Sequence, residues 1–418
     1  MVNKQSSIAV ITILLVGFSS LQNSKAETNA NSPDKASVII QKVVPVIAEI
    51  PISEKKSTPL PLVLSPQPPR TLSMPVAVKP IRPAPQDILG KRVEEAIKIS
   101  TRRYLTANIH TPWQVMHGML ALRRDYQLKQ GTKKINALDW ISKGQKFQGE
   151  PWFQKTKFGG RGHKFNKAYA FEGHPNQCFA LLSMSGLPLD HKFQTPSGSI
   201  TVQDIVNNAK MEVNDREEMT WTLWALSRYL PAEAEWRNKK GDVWSMERLV
   251  RTQLNVNVYK APCGGTHSLF ALAFARKYYL KKHRYLRGVW LEADQKIKRY
   301  IQEARVYQNS DGTFSTEHFN GKGYKRDFKT RLSTSGHVLE FLVMAASDKQ
   351  LKEPWLRKGI NTVAMELLNN RRRPAECGGL YHAMDALVIY RNRTNPIPTN
   401  PKPVMAKSIK KGWKRRVH

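Results

Sequence analysis

The chain has 418 residues, 40% of them hydrophobic, and a formal net charge of +34. This is enough apolar material for one large domain or two medium ones, which excludes a chain without a core. The charge comes without a DNA-reading motif, so nucleic acid is not the expected target. A positive field this strong favours an anionic surface, such as an acidic polysaccharide, a lipid headgroup or a phosphate-bearing substrate, unless it only reflects a basic proteome.

Residues 1–26 read as a signal peptide. Lys4 gives a positive start, Ile8 to Phe18 is an apolar run too short to span a bilayer comfortably, and Ser24-Lys25-Ala26 is a cleavage site. Export to the periplasm or beyond is expected; the alternative is an uncleaved anchor. Residues 27–86 form a proline-crowded linker, with Pro59, Pro61, Pro66, Pro68 and Pro69 among its breaks, and read as an extended tether to the envelope. The folded domain is expected over residues 87–394, and residues 395–418 read as a flexible basic tail.

Within the domain, Ile88 to Leu105 carries apolar residues at helical spacing, at Val93, Ile97 and Tyr104. Thr111-Pro112 is a cap followed by proline at the first helical position. Shorter amphipathic segments follow at Ile135 to Ser142, Val202 to Met211, Ser245 to Leu254, Leu286 to Tyr307 and Trp355 to Asn369. Each precedes a more apolar segment. No run of alternating strands is read.

The apolar segments repeat. APCGGTHSLFALA (from Ala261), AECGGLYHAMDALV (from Ala375), RLSTSGHVLEFL (from Arg331), WQVMHGMLAL (from Trp113), HPNQCFALL (from His174) and EMTWTLWAL (from Glu218) align on an Ala-Leu or Phe-Leu pair. Four residues before that pair stand His117, Asn176, Trp221, His267, His337 and His382 in chain order. Thr266 is expected to cap its helix. A repeat of this size cannot bury its own apolar face, so its neighbours must stack. The expectation is an all-α fold: an (α/α)6 toroid of six helical hairpins, outer helices charged and inner helices apolar, with the inner N-termini at one rim.

Three cysteines remain, Cys178, Cys263 and Cys377. Export permits a disulfide, and Cys263 with Cys377 is the pair to test, because both precede matching helices; the other reading is three small buried side chains.

Taken together, these motifs resemble the terpenoid cyclase and protein prenyltransferase superfamily of α/α toroids. QNSDGTF (Gln308 to Phe314) is similar to the Q-x-x-D-G-x-F signature that marks hairpin junctions there, with Asp311-Gly312 a tight turn and Phe314 a plug between hairpins. The full motif set resembles a group of exported proteins of planctomycete-type bacteria, which implies the fold and no particular activity. The D-x-D-D and D-D-x-x-D motifs of the superfamily's cyclases and synthases are absent. By resemblance to prenyltransferase β-subunits, His382 matches a zinc-binding histidine and His267 lies near a cysteine ligand; the aspartate ligand has no counterpart, since Gly265 occupies that region.

The repeat itself also carries chemistry. Equivalent positions on inner helices converge, so His117, His267, His337 and His382 are candidate ligands for zinc or copper, or else pack and cap. Glu340 and Asp385 stand three residues after His337 and His382, where the other repeats carry Leu120, Phe179, Trp224 and Phe270. A carboxylate at a core position needs a partner or a role. These four, His337, His382, Glu340 and Asp385, are the candidate catalytic set, or a set that only fixes register. Trp113, Trp221, Trp224 and Tyr381 are candidate cavity walls, and Arg331 a candidate anion holder, with Asp311 and Glu317 near the rim. Three functions follow: a monomeric enzyme, zinc-assisted, acting on an apolar or isoprenoid-like small molecule in the ring; a lyase or hydrolase of an anionic glycan; or a non-catalytic envelope scaffold binding glycan or lipid.

Overall fold

The structure, a computed structural model, describes residues 87–163 and 169–395. The chain divides into two units, Met1–Pro80 and Ile81–His418, and every described residue belongs to the second. The segments read as signal peptide, proline-rich linker and basic tail, apart from Asn395, lie outside the described residues. Among the described residues, no helix is long and apolar enough to cross a membrane.

The described unit is mostly helical. Its helices are α1 (Ile88–Ser100), α2 (Pro112–Leu122), α3 (Ala137–Ile141), α4 (Gln177–Ser183), α5 (Val202–Glu212), α6 (Thr220–Tyr229), α7 (Met246–Leu254), α8 (Thr266–Leu280), α9 (Val289–Val306), α10 (Phe328–Ala345), α11 (Pro354–Asn369) and α12 (Cys377–Thr394). The odd helices are amphipathic. On α9 the buried positions Val289, Ala293, Ile297, Tyr300, Ile301 and Ala304 recur at helical spacing. The even helices are buried nearly all round, from Thr220 to Ser227 on α6 and from Cys377 to Tyr390 on α12. Each even helix packs on the next, from α2 through α4, α6, α8 and α10 to α12, and α12 packs back on α2. The odd helices lie against them, α7 on α6 and α8, α9 on α8 and α10, and α11 on α10.

Local chemistry explains several boundaries. Thr111 and Gln114 close a reciprocal cap at α2: Gln114 N donates to Thr111 Oγ1 (3.2 Å) and Thr111 N donates to Gln114 Oε1 (2.9 Å). The first helix ends at Ser100 rather than Leu105, where Thr101 Oγ1 turns back to donate to Lys98 O. Thr266 is not a cap: it is the first helical residue, and its hydroxyl donates to Cys263 O. The turn at Asp311-Gly312 forms as read, with Gly312 at φ 91° and Phe314 buried against Gly359 of α11.

The reading of no strands is corrected. Among the described residues, five two-stranded antiparallel hairpins occupy the connections: β1 (Gln127–Gln130) with β2 (Lys133–Asn136), β3 (Lys146–Phe147) with β4 (Glu150–Pro151), β5 (Phe153–Thr156) with β6 (Gly159–Gly162), β7 (Lys192–Thr195) with β8 (Gly198–Thr201), and β9 (Glu235–Arg237) with β10 (Val243–Ser245). Strands of two to four residues are too short to show an alternating period.

The tightest packing is between α10 and α12. A Cβ on Gly336 would lie 2.8 Å from the Cβ of Ala383, and one on Gly379 would lie 2.9 Å from the Cα of Ser333. Backbone therefore meets backbone at two levels of one crossing. Gly336→Val is expected to cost roughly 1–3 kcal/mol through overpacking, read as a lower urea midpoint with unchanged m-value. Gly336→Ala should be milder, since it recovers about 1 kcal/mol of helix propensity.

Candidate functional site

The site begins with a strained loop. Cys263, Gly264 and Gly265 follow one another at φ 51°, 60° and 72°. Only glycine adopts that region freely, so Cys263 is held there by its surroundings. Gly264 has no alternative, because a Cβ would sit 2.2 Å from the His318 ring. The second Cys-Gly-Gly behaves differently. Cys377, Gly378 and Gly379 form the first turn of α12, and Gly378 N and Gly379 N donate to the Glu376 carboxylate at 2.7 and 2.9 Å. All three cysteines are free thiols, Cys178 and Cys377 buried and Cys263 exposed, so Cys263 and Cys377 are not paired.

The starts of α2, α8, α10 and α12 open onto a cavity of about 1100 Å³. His117, His267, His337 and His382 all line it. Their rings form a continuous cluster: His337–His382 centroids are 4.1 Å apart, His267–His382 5.0 Å, His267–His337 5.2 Å and His117–His382 5.5 Å. Trp113, Phe147 and Tyr169 supply aromatic wall, joined by Gln114, Gln148, Gln177, Lys329 and Glu376.

The imidazole tautomers follow from their acceptors. His117 Nδ1–H donates to Trp113 O and His337 Nδ1–H to Ser333 O, each at 2.7 Å and each one turn back on its own helix. That leaves Nε2 with a free lone pair in both. His382 Nδ1 is 2.8 Å from Glu340 Oε2 on the neighbouring helix. Burial lowers the His117 pKa to about 3, helped by the adjacent His382, and burial lowers His382 to about 3. His267 and His337 are pushed well below the ordinary range by burial and by the neighbouring imidazoles. All four rings are neutral at pH 7, the state that binds metal or accepts a proton.

Beneath the histidines lies a buried acid pair. Glu340 is 1% exposed and Asp385 0%. The two carboxyls interact electrostatically, and an Arg123 guanidinium nitrogen donates to Asp385 Oδ1. Burial raises Glu340 to about 8 and Asp385 well above the carboxylate range. Glu340 Oε1 and Asp385 Oδ2 are buried with no hydrogen-bond partner, and burial favours the protonated form of each carboxyl. Arg123 is paired with the fully buried Asp385, so removing one partner of that pair should cost about 3–5 kcal/mol. Arg123 sits just past α2 at φ 56°, another strained position. The order of groups from the cavity inward is His382, Glu340, Asp385, Arg123. Glu340 thus serves the histidine of the next helix rather than His337, its neighbour in sequence.

The other candidates lie elsewhere. Trp221 and Trp224 are fully buried, stacked at 5.4 Å, with Trp224 4.2 Å from Phe270; they fill the core beyond His267 and do not line the cavity. An indole is too large to share the floor that the four imidazoles occupy. Tyr381 points away from the cavity and its hydroxyl meets that of Tyr126 at 3.1 Å. Arg331 is spent on Asp311 and Glu366, both at 2.7 Å, so it holds no anion at the rim, and neither Asp311 nor Glu317 lines the cavity. Trp113 is the one aromatic candidate in the wall. The residues that sequence reasoning missed as site members are Cys263, Phe147, Tyr169 and Glu376. The two glycines after Cys263 were the available signal for a special backbone there.

No family model, curated protein or solved structure matches this chain.

Two opposite pH dependences follow. His117 has a folded pKa below its unfolded value of about 6.5, so its contribution is present above pH 6.5 and is lost as pH falls toward 3. His117→Gln should therefore shrink the stability lost between pH 7 and 4 by roughly 3 kcal/mol. Glu340 is raised, so its contribution is full below about pH 4.5 and is lost as pH rises through about 8. Glu340→Gln should flatten that decline between about pH 4.5 and 8. Urea unfolding at a series of pH values measures both.

Proposed function

We propose that this chain is an exported enzyme built as an (α/α)6 toroid in the manner of terpenoid cyclases and protein prenyltransferases, and that it transforms an apolar or isoprenoid-like substrate in the histidine-floored cavity. The ring reading is supported by the succession of even helices, each packed on the next, with α12 returning to α2. The export reading rests on Lys4, the run Ile8 to Phe18 and the site at Ala26.

The observation that carries the enzymatic reading is a proton path attached to an open cavity. His382 faces the cavity and is bonded on its far side to Glu340, which continues to Asp385 and Arg123. A substrate proton passes to His382 Nε2. The imidazolium that forms keeps its Nδ1–H on Glu340 Oε2, 2.8 Å away, with Asp385 and Arg123 behind it.

The cavity walls favour an apolar substrate. Trp113, Phe147 and Tyr169 give flat apolar faces, and Lys329 is the one lysine or arginine among the described lining residues. A groove for an acidic glycan would carry several, so the glycan lyase or hydrolase reading rests on net charge and export. The scaffold reading draws support from Trp221, Trp224 and Phe270, which fill the core beyond the histidines, but the cavity above them stays open.

The test is a ligand panel of prenyl alcohols, prenyl diphosphates, neutral lipids and uronate oligosaccharides, scored by thermal shift and by product analysis. Prenyl compounds should bind and be converted. His382→Gln should bind them with similar affinity and lose about 10²–10⁴-fold in kcat, while Trp113→Ala should mainly raise KM. Binding of uronates alone would move the assignment to glycan chemistry. Bound ligand with no turnover in any case would leave a scaffold.

A further inference from the structure

The strained Cys263 stands next to two of the four histidines. Its Sγ and one ring nitrogen each of His267 and His337 all lie within 4.8 Å of one another. They come from three places that the fold has to bring together: the left-handed turn before α8, the first turn of α8, and the middle of α10. His117 and His382 are not part of this group.

We propose that Cys263, His267 and His337 bind a zinc ion at the cavity floor, with one coordination position left to the cavity. Three observations converge. First, His267 is 7% exposed, and its Nε2 is buried with no hydrogen-bond partner, a cost that a bound cation would remove. Second, His337 is already oriented as a ligand: its Nδ1–H is fixed on Ser333 O, which aims the Nε2 lone pair outward. Third, Cys263 keeps a backbone conformation that costs about 1–3 kcal/mol for a residue with a side chain, at the one cysteine that reaches the cavity. Packing explains none of the three.

The donor set selects the metal. One sulfur and two imidazoles suit zinc, whereas magnesium and calcium require oxygen ligands. Copper accepts the same three donors but favours a weak axial methionine, and no methionine lines the cavity among the described residues. A tetrahedral ion needs donor separations of about 3.3–3.6 Å, so the widest gap closes by roughly 1 Å on binding. The Zn–S bond forms as the thiol proton leaves to solvent. The uncharged imidazoles are already in their binding state. His382, 4.1 Å from His337 and 5.0 Å from His267 between ring centroids, stays beside the ion with its own path to Glu340 intact. When bound, zinc would supply Lewis acidity toward a substrate oxygen.

The site deepens the reading of the cavity as catalytic and rests on it for its role, but binding alone tests it. The full chain, purified without a histidine tag and stripped with chelator, is titrated with Co²⁺ and then Zn²⁺. One Co²⁺ per chain is expected, with the strong visible bands of a tetrahedral ion and a near-ultraviolet thiolate band, all erased by one equivalent of Zn²⁺. Loss of an outer partner at metal sites costs about 10–100-fold, so loss of a ligand should cost on the order of 100-fold or more. Cys263→Ser should lose the thiolate band and that much affinity, and His267→Gln that affinity, both with unchanged circular dichroism. Cys377→Ser, from the other Cys-Gly-Gly, should keep both. No Co²⁺ or Zn²⁺ uptake, uptake of copper alone, or an undiminished thiolate band in Cys263→Ser would each overturn the assignment. If turnover is found without metal uptake, the metal site fails while the proton path stands; metal uptake without turnover is the reverse.

Discussion

The close crossing of α10 and α12 is the constraint on which the site depends. With no room for a Cβ at Gly336 or Gly379, the two backbones approach until His337 and His382 have ring centroids 4.1 Å apart and Glu340 reaches His382 across the interface. Wider spacing would break that bond and leave a carboxyl buried without a partner. The helix pair therefore fixes both the imidazole floor and the buried acids beneath it.

Burial then decides the charge states. Four histidines and two carboxyls within one core region would be untenable if all were ionised, because each desolvated charge costs several kcal/mol (about that much even after relaxation). Burial resolves this by keeping the imidazoles neutral and favouring the protonated form of both carboxyls, with one guanidinium, Arg123, placed against Asp385. The result is a neutral, lone-pair-rich floor facing a cavity, with the buried acids and Arg123 behind it. That arrangement suits proton acceptance and metal ligation equally, and the cluster falls into two groups. His382 is wired to the acids, while His267 and His337 lie with Cys263.

The two Cys-Gly-Gly tripeptides show how little a short motif fixes. In one, glycines permit a left-handed turn that presents a thiol to the cavity; in the other they open a helix whose amides are capped by Glu376, and the thiol is buried. The difference lies in the neighbours, His318 and Val258 for the first and Glu376 and Ser333 for the second.

The sequence alone determined the helical alternation, because amphipathic and fully apolar segments bury different fractions of their surface. It also placed four histidines at one repeat position, and equivalent positions on stacked repeats converge. It marked Glu340 and Asp385 as out of place in a core. It was silent on the hairpins, whose strands of two to four residues carry no period. It could not separate Trp113, which lines the cavity, from Trp221 and Trp224, which fill the core, because the same ring serves either end of a helix bundle. Only the tertiary structure decided which acid serves which histidine, drew Arg123 onto Asp385 from 262 residues away, and set Cys263 beside His267 and His337. Those pairings run between helices, and the distance across a helix crossing depends on what both surfaces leave out.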